Sequence, residues 1–170
     1  PTSHTDVYGN TTVTSYDSRG LPISVRDVNG NTTRLKFDNQ GNPTEIKDHN
    51  GNLLVRNTYN SYGDVLSSTP IAGRTTYFDY DINGNQVASW YFGGTSVDEV
   101  QILGVTKYDE LNRVVASTQA VLPTGSFLTA NFTTATIDPQ YVTSSTSNVY
   151  NLTGQVVSTT DANGFQTRNM

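Results

Sequence analysis

The sequence predicts an all-β fold, an antiparallel meander of repeated β-hairpins, and three observations lead to this prediction. Thr, Ser, Asn, Gly and Asp dominate the polar composition; Thr favours strands, and the other four favour tight turns. Ala and Glu, on which long helices depend, are too scarce for a helical fold. An internal repeat runs along the chain, with a period of 21 or 22 residues over its first four copies.

The composition limits both the core and the classes of function. The chain has 170 residues, of which 34% are hydrophobic, so burial must come from thin layers of Tyr, Phe, Val, Ile and Leu. Its net charge is −5, and the mixing of acidic with basic residues argues against a nucleic-acid-binding surface. No apolar run suits a membrane span, and no signal sequence opens the chain. Because the first residue is Pro1 rather than Met, we expect an excised or processed fragment.

The repeat begins with an aromatic residue that Asp or Asn usually follows. Its six copies start at Tyr16, Phe37, Tyr59, Tyr80, Tyr108 and Tyr150. Four residues later stand Gly20, Gly41, Gly63, Gly84, Asn112 and Gly154. Fourteen residues after the aromatic, a second glycine recurs at Gly30, Gly51, Gly73, Gly94 and Gly164. Gly and Asn tolerate a left-handed backbone, so both positions indicate turns, and these aromatics and turn residues form the structural signature of the repeat.

Each repeat is predicted to contain two strands and two turns. Leu21, Ile23 and Val25 stand at alternate positions, which predicts a strand with one apolar face. The pair Asn29-Gly30 predicts a two-residue type I′ hairpin turn, because that turn needs two positive φ values. The Asp or Asn after each aromatic is expected to accept backbone N–H groups at the turn. About a dozen short strands result, and stacked neighbours bury the aromatic face of each repeat.

The chain, residues 1–170, is predicted to be a single repeat region that two irregular insertions interrupt. Residues 90–104 lengthen one repeat and contain the densest aromatic cluster. Residues 121–148 are rich in Ser and Thr and lack a clear turn signal. They could hold an eroded repeat, an irregular loop or a brief helix, although long loops in compact domains are disproportionately functional.

The aromatic cluster Trp90, Tyr91 and Phe92 is the candidate ligand platform. Exposed aromatic residues mark binding sites, so the cluster could hold a sugar ring or a partner protein. Aromatic residues are more often buried for their large area. In that second interpretation, which we favour, Trp90 and Phe92 fill the core while Tyr91 faces outward.

The order Tyr-Asp-x-x-Gly, then a β arm, then Asp-x-Asn-Gly resembles the YD (Rhs) repeat. The motif is clearest in Tyr16-Asp17-Ser18-Arg19-Gly20, Phe37-Asp38-Asn39-Gln40-Gly41 and Tyr150-Asn151-Leu152-Thr153-Gly154. The resemblance covers residues 8–120 and 148–166. The family includes bacterial Rhs and wall-associated polymorphic toxins, toxin-complex subunits and the animal teneurins. It implies hairpins that wind into a hollow shell, which in the bacterial toxins encloses a variable toxic C-terminal segment.

One motif of the bacterial relatives is missing from this sequence. Many of their arrays end in a self-cleaving Asp-Pro-x-Gly core. Here Asp138-Pro139 is followed by Gln140-Tyr141, so the resemblance carries over no protease residue.

The sequence offers no strong case for a cofactor or for catalysis. Loops such as Asp27-Val28-Asn29-Gly30-Asn31 faintly resemble the start of a calcium loop but lack its ligand order and its distant Glu. The two histidines, His4 and His49, stand near the start of the chain and in a turn. Cysteine is absent, and no nucleophile elbow or zinc-binding His pair occurs. We therefore predict no catalytic, metal or cofactor-binding residue, with calcium and a cryptic hydrolase as the disfavoured alternatives.

A structural function is expected, as a segment of a β-shell or stalk in a large secreted or cell-surface protein that encapsulates or presents a toxin or another module. The alternative is a surface adhesion module that binds a glycan or a protein receptor. The expected partners are the remainder of the parent protein or further copies that associate through open sheet edges, with neither nucleic acid nor membrane insertion. Residues 121–148 could instead cap such an edge.

Overall fold

The computed structural model of the protein describes residues 1–93, 100–128, 132 and 136–168. Across these residues the fold is all-β, and the predicted antiparallel meander is confirmed. The chain divides into two compact units, residues 1–75 and 76–170, and within each unit every strand pairs with its neighbour in the chain. Within the described ranges the one helical element is a turn of 3₁₀ helix, Pro139–Tyr141, and no helix is long and apolar enough to cross a membrane.

The first unit is a sheet of seven strands. They are β1 (Thr2–Thr5), β2 (Thr11–Tyr16), β3 (Pro22–Arg26), β4 (Thr32–Phe37), β5 (Pro43–Lys47), β6 (Leu53–Tyr59) and β7 (Val65–Pro70). Extensive contacts join only neighbouring strands, so among its described residues this unit is a single layer.

Among its described residues the second unit also contains seven strands, and four of them are longer than any strand of the first unit. They are β8 (Thr76–Tyr80), β9 (Gln86–Gly93), β10 (Val100–Tyr108), β11 (Val114–Pro123), β12 (Val142–Tyr150), β13 (Val156–Asp161) and β14 (Gln166–Arg168). The described part of the insertion at 90–104 extends the β9–β10 hairpin, which pairs as far as Gly93 and Val100; residues 94–99, with Gly94, lie outside the described residues. The described residues of the insertion at 121–148 include the end of β11, the 3₁₀ turn and most of β12, whereas residues 129–131 and 133–135 lie outside the described residues.

The turn after each repeat aromatic closes in the same way, and the turn at Asp38 shows how. The Asp38 N–H donates to Asn42 O at 3.0 Å, and the Gly41 N–H donates to Asp38 O at 3.3 Å. Asp38 Oδ1 accepts the N–H groups of Gln40 and Asn42, each at 2.9 Å. Gly41 has φ 94°, and the strand register shifts between Lys36 and Phe37, as in a turn followed by a glycine bulge. The predicted role of the Asp or Asn as an N–H acceptor is confirmed.

The predicted type I′ turn at Asn29-Gly30 is wrong. Gly30 has φ 84°, whereas Asn29 does not have a positive φ; in the described residues Asn112 is the one non-glycine residue that does. The loop has three residues, because the Asp27 N–H donates to Asn31 O at 2.9 Å. The longer loop is stabilised because Asp27 Oδ1 accepts the N–H groups of Asn29 and Asn31 at 3.0 and 2.8 Å.

The apolar face predicted for β3 is present but exposed. Ile23 and Val25 are 41% and 36% exposed, whereas Ser24 on the opposite face is half-buried. Leu21 is half-buried, and it lies before the strand, against the next turn at Gly41. The period-2 pattern does identify a strand, but no described element covers this face of the first unit.

A tyrosine hydroxyl joins several repeats to the one before. The hydroxyl donates to the backbone carbonyl two residues after the turn Gly or Asn of the preceding repeat. These bonds run from Tyr59 to Pro43 at 2.9 Å, from Tyr108 to Gln86 at 3.2 Å and from Tyr150 to Val114 at 2.8 Å. The repeat aromatics are half-buried apart from Tyr16, which is 45% exposed. Burial between stacked repeats therefore positions the ring, and the carbonyl holds its hydroxyl.

The turn carboxylates predict a loss of stability in acid. Hydrogen bonding from Asn42 N–H lowers the pKa of Asp38, from Leu21 N–H that of Asp17, and from the Asn52 side chain that of Asp48, all below the ordinary value of 3.8. A group with a lowered folded-state pKa stabilises the fold above its unfolded-state pKa, and this contribution is lost as the pH falls through the folded-state value. We expect the urea midpoint of unfolding to be constant from pH 7 to pH 5 and to fall steadily from pH 4 to pH 2.

The matched variant is Asp17→Asn/Asp38→Asn/Asp48→Asn. Asn60 already serves the same purpose, since its Oδ1 accepts the N–H groups of Tyr62 and Asp64, both at 2.9 Å. The variant should fold at pH 7 and show a weaker decline between pH 4 and pH 2. A decline as steep as that of the unmodified chain would contradict the assignment.

Candidate functional site

The aromatic cluster lies on β9, where successive side chains point to opposite faces of the sheet. Trp90 pairs with Tyr77 on β8 and Leu103 on β10, whereas Tyr91 pairs with Ile102. Trp90 and Phe92 are half-buried, and Tyr91 is 37% exposed. The structure thus divides the cluster between two faces, so the three rings do not form one platform.

The face that holds Trp90 is covered by described residues between β11 and β12, here called the covering segment: Phe127, Leu128, Phe132 and Ile137. The Trp90 ring stacks on Tyr77, with centroids 5.6 Å apart, and packs at 4.8 Å against Phe132. Phe92 packs at 5.1 Å against Phe127. Phe132 is fully buried, together with Val87, Ala88, Leu103, Val105, Ala120 and Leu122. This part of the 121–148 insertion therefore covers a face of the second unit rather than an edge.

A buried glutamine fixes that covering segment. The Gln101 side chain is completely buried, and its Oε1 accepts the Leu128 N–H at 2.8 Å while its Nε2 donates to the Leu128 carbonyl. One amide thereby satisfies both backbone groups of Leu128, as a neighbouring strand would. The sequence does not reveal this residue, because a polar residue within an alternating strand pattern gives no sign of a partner 27 positions away.

The opposite face remains open around Tyr91. Ile102 on β10 pairs with Tyr91 on one side and with Val121 on the other, and Val121 is also 37% exposed. Beside them Gly104 leaves a shallow cleft of about 290 Å³ between β9 and β11. A Cβ at Gly104 would lie 3.5 Å from Ser89 Oγ, so a side chain at this position would fill part of the cleft. Apolar groups with adjacent hydroxyl groups suit the face of a sugar ring.

A second cleft, of about 530 Å³, lies at the edge of the covering segment. Val105, Thr118, Ile137 and Ser145 are among its lining residues, and Lys107 supplies a cation. No histidine that could act as a base is among the described residues that line this cleft. The arrangement offers hydrogen bonding and one positive charge rather than nucleophilic chemistry.

The loops that resemble calcium sites have their carboxylates engaged. In the Asp27 loop, Oδ1 accepts two N–H groups and Oδ2 accepts the Asn31 side-chain amide at 3.2 Å. Among the described residues no three His, Cys, Asp or Glu side chains cluster as metal ligands would. A cation at such a loop would have to displace the bonds that close the turn.

The structure places nine residues of the repeat signature in turns with positive φ. These are Gly20, Gly30, Gly41, Gly51, Gly63, Gly84, Asn112, Gly154 and Gly164. Among the described residues, two further turns have this conformation, at Gly9 and Gly125. Gly73 closes a turn by donating to Pro70 O at 3.2 Å, but its φ is not positive. The signature positions act on the backbone and form no chemical site.

Comparison with known proteins agrees with the repeat and the fold. Residues 16–53 match the family model for the RHS Repeat, so the recognition of the YD (Rhs) repeat is confirmed. No curated protein matches the chain.

Two solved structures align with this chain. A Tc holotoxin pore of Photorhabdus luminescens, with a substitution in its TccC3 component, aligns with a TM-score of 0.63 at 15% identity, over 88% of this chain and 7% of that one. A crystal structure of TcdB2–TccC3–Cdc42 aligns with a TM-score of 0.42 at 18% identity, over 94% of this chain and 11% of that one. The first likeness shows the fold, and the chain spans a small part of either structure.

Gln101 provides a test of how the covering segment is held. Gln101→Leu leaves the N–H and carbonyl of Leu128 without partners, which we expect to lower the free energy of unfolding by about 1–3 kcal/mol. Hydrogen exchange at Leu128 should accelerate more than exchange in the strands β9–β11. Gln119→Leu, on an exposed position of β11, is the control and should leave both readouts unchanged. Equal effects of the two substitutions would show that Gln101 does not hold the segment.

Proposed function

We propose that the chain is a non-catalytic wall segment of a larger secreted or cell-surface protein, in which this sheet forms part of a β-shell or stalk. The observation that carries the proposal is the linkage between repeats. Each strand within a unit pairs only with its chain neighbours, and tyrosine hydroxyls and turn side chains join one repeat to the next. Such an assembly extends by adding repeats, as solenoids do.

Contacts between successive turns add to the linkage in the first unit. Arg19 Nη1 donates to Asp38 O at 2.7 Å, and Gln40 Nε2 donates to Ser61 O at 3.3 Å. In the second unit the Asn83 and Asn85 amides both donate to Asn112 Oδ1, at 3.1 and 2.8 Å. These bonds connect the turns of successive repeats, which supports a mechanical function.

The finer part of the proposal concerns what the wall surrounds. The Tc holotoxin pore that shares the fold supports a segment that encloses or presents another module, and the small fraction of that chain matched supports a much longer parent. The remainder of the parent is then the first partner of the two outer strands, β1 and β14, whose outer edges carry no described partner strand. An array of this kind functions by excluding solvent and protease.

The tyrosine bonds test the proposal. Tyr59→Phe and Tyr150→Phe each remove one bond between repeats, and each should lower the free energy of unfolding in urea by about 0.5–1.5 kcal/mol. The rate of thermolysin cleavage should increase as the free energy of unfolding falls. Tyr62→Phe is the matched control, since Tyr62 is 90% exposed. Three variants of equal stability would refute the linkage, and turnover of esterase, glycosidase or nuclease substrates by the unmodified chain would refute the non-catalytic function.

The second candidate is a glycan-binding module, and the open face at Tyr91 favours it. Tyr91→Ala should abolish binding of the chain to a glycan array while the thermal midpoint stays within a few degrees. Trp90→Ala is unsuitable for this test, because Trp90 packs between Tyr77 and Phe132 and its loss disturbs the core. Tyr62→Ala is the control for a general loss of exposed aromatic surface. Binding that survives Tyr91→Ala, or no binding by the unmodified chain, rejects this candidate.

A further inference from the structure

The charges of the first unit are separated in space. Glu45 is the one acidic residue within strands β1 to β7. The unit's other carboxylates lie in the turns, at Asp6, Asp17, Asp27, Asp38, Asp48 and Asp64. Each of them except Asp64 accepts backbone N–H groups of its own turn. The strands therefore carry five cations and a single carboxylate, that of Glu45.

Strand pairing brings five cations to one face. Arg34 pairs with Lys47, and Lys36 and Arg56 pair with Glu45 from opposite sides. Arg26 shares this face, because it stands two positions after Ser24, which pairs with Arg34. Adjacent strands are about 4.8 Å apart, and alternate residues along a strand are about 7 Å apart. The backbone positions of Arg34, Lys36, Lys47 and Arg56 therefore lie within an area of about 10 by 7 Å.

These side chains are accessible. Arg26 and Arg34 are exposed, and the side chains of Lys36, Arg56 and Lys47 are 68%, 58% and 38% exposed. Within this unit no described element packs over them, since the extensive contacts join only adjacent strands. The whole chain has a net charge of −5, so an anion would be drawn to this face by its local field and not by the total charge.

Glu45 shows which anion the face accepts. Its carboxylate lies 3.1 Å from Arg56 Nη2 and 3.2 Å from Lys36 Nζ, with Lys47 Nζ at 3.9 Å. One internal carboxylate thus engages three of the cations, while Arg34 has no ion pair in the described residues. A ligand with several carboxylates could form ion pairs with the remaining cations of this face.

The uncharged neighbours favour a polysaccharide over other polyanions. The residues that pair with the cations are Val13, Ser24, Thr32, Leu53 and Thr69. None is aromatic, whereas single-stranded nucleic acid binds by stacking on aromatic rings. Aromatic anchors, which dominate many peptide and protein interfaces, are absent from these neighbours, and the main-chain groups here already pair between strands. Hydroxyl groups and cations together match the hydroxyl groups and carboxylates of a uronic acid polymer.

We propose that the face formed by Arg26, Arg34, Lys36, Lys47 and Arg56 binds a carboxylate-bearing polysaccharide. This function goes beyond that of a wall segment. It assigns to the first unit a contact with an acidic cell-surface or extracellular polymer.

The test measures binding of the full chain to polygalacturonate. The chain should bind at 20 mM salt and bind at least tenfold more weakly at 500 mM, where charges are screened within a few ångströms. Arg34→Gln/Lys36→Gln should weaken binding at least tenfold. Lys107→Gln/Arg168→Gln removes the same charge from the second unit and should change binding less than twofold. Glu45→Gln should tighten binding, because it frees the cations that Glu45 occupies.

The remaining probes decide the class of ligand. Dextran, which is uncharged, should not bind. Poly-L-glutamate that binds as tightly as polygalacturonate would assign the face to an acidic polypeptide, and tighter binding of single-stranded DNA would assign it to nucleic acid; either result overturns the polysaccharide. No binding at 20 mM salt, or equal losses in the two double variants, overturns the binding face itself. Circular dichroism of each variant confirms that the sheet is retained.

Discussion

The acceptance of two backbone N–H groups by one Asp or Asn oxygen is the interaction on which the rest of the structure depends. In the turn at Asp38 this oxygen satisfies the amides of Gln40 and Asn42, and Gly41 supplies the left-handed residue that closes the loop. The chain is short of apolar residues, so it cannot rely on a deep core to hold its strands in register. Repeated local closure fixes each register instead, and the bulge beside the turn recurs at all six repeat aromatics.

The register in turn positions the repeat tyrosines. A hydroxyl such as that of Tyr150 reaches the carbonyl that opens the strand after the preceding repeat's turn, and the Arg113 guanidinium lies 4.4 Å from the centre of the same ring. The contacts within each turn and those between repeats thus favour the same strand register, which is the consistency expected of a foldable sequence. The two units use these contacts differently, because the second adds a covering segment and a buried core while the first remains one layer.

The sequence was sufficient to predict the strands and the positions of the turns, since apolar alternation and regularly spaced glycines are local signals. It was insufficient for the turn type at Asn29, where the Asp27 side chain stabilises a longer loop than Asn-Gly alone indicates. It was also insufficient for Ile23, because alternation identifies two faces and does not say which one is covered. The Gln101–Leu128 contact and the cationic face of β3 to β6 depend on pairing between distant positions, which periodicity in one segment cannot reveal.

Amide hydrogen exchange, read residue by residue by NMR, tests the central interaction most directly. The N–H groups of Arg19, Gln40, Asn50 and Leu111 belong to exposed turn residues and have a side-chain oxygen as their acceptor. If the Asp oxygens close these turns, all four amides exchange far more slowly than in an unstructured peptide and approach the adjacent strand amides. Exchange at the unstructured rate, with the strands still protected, would show that the strands hold the turns and would contradict the account.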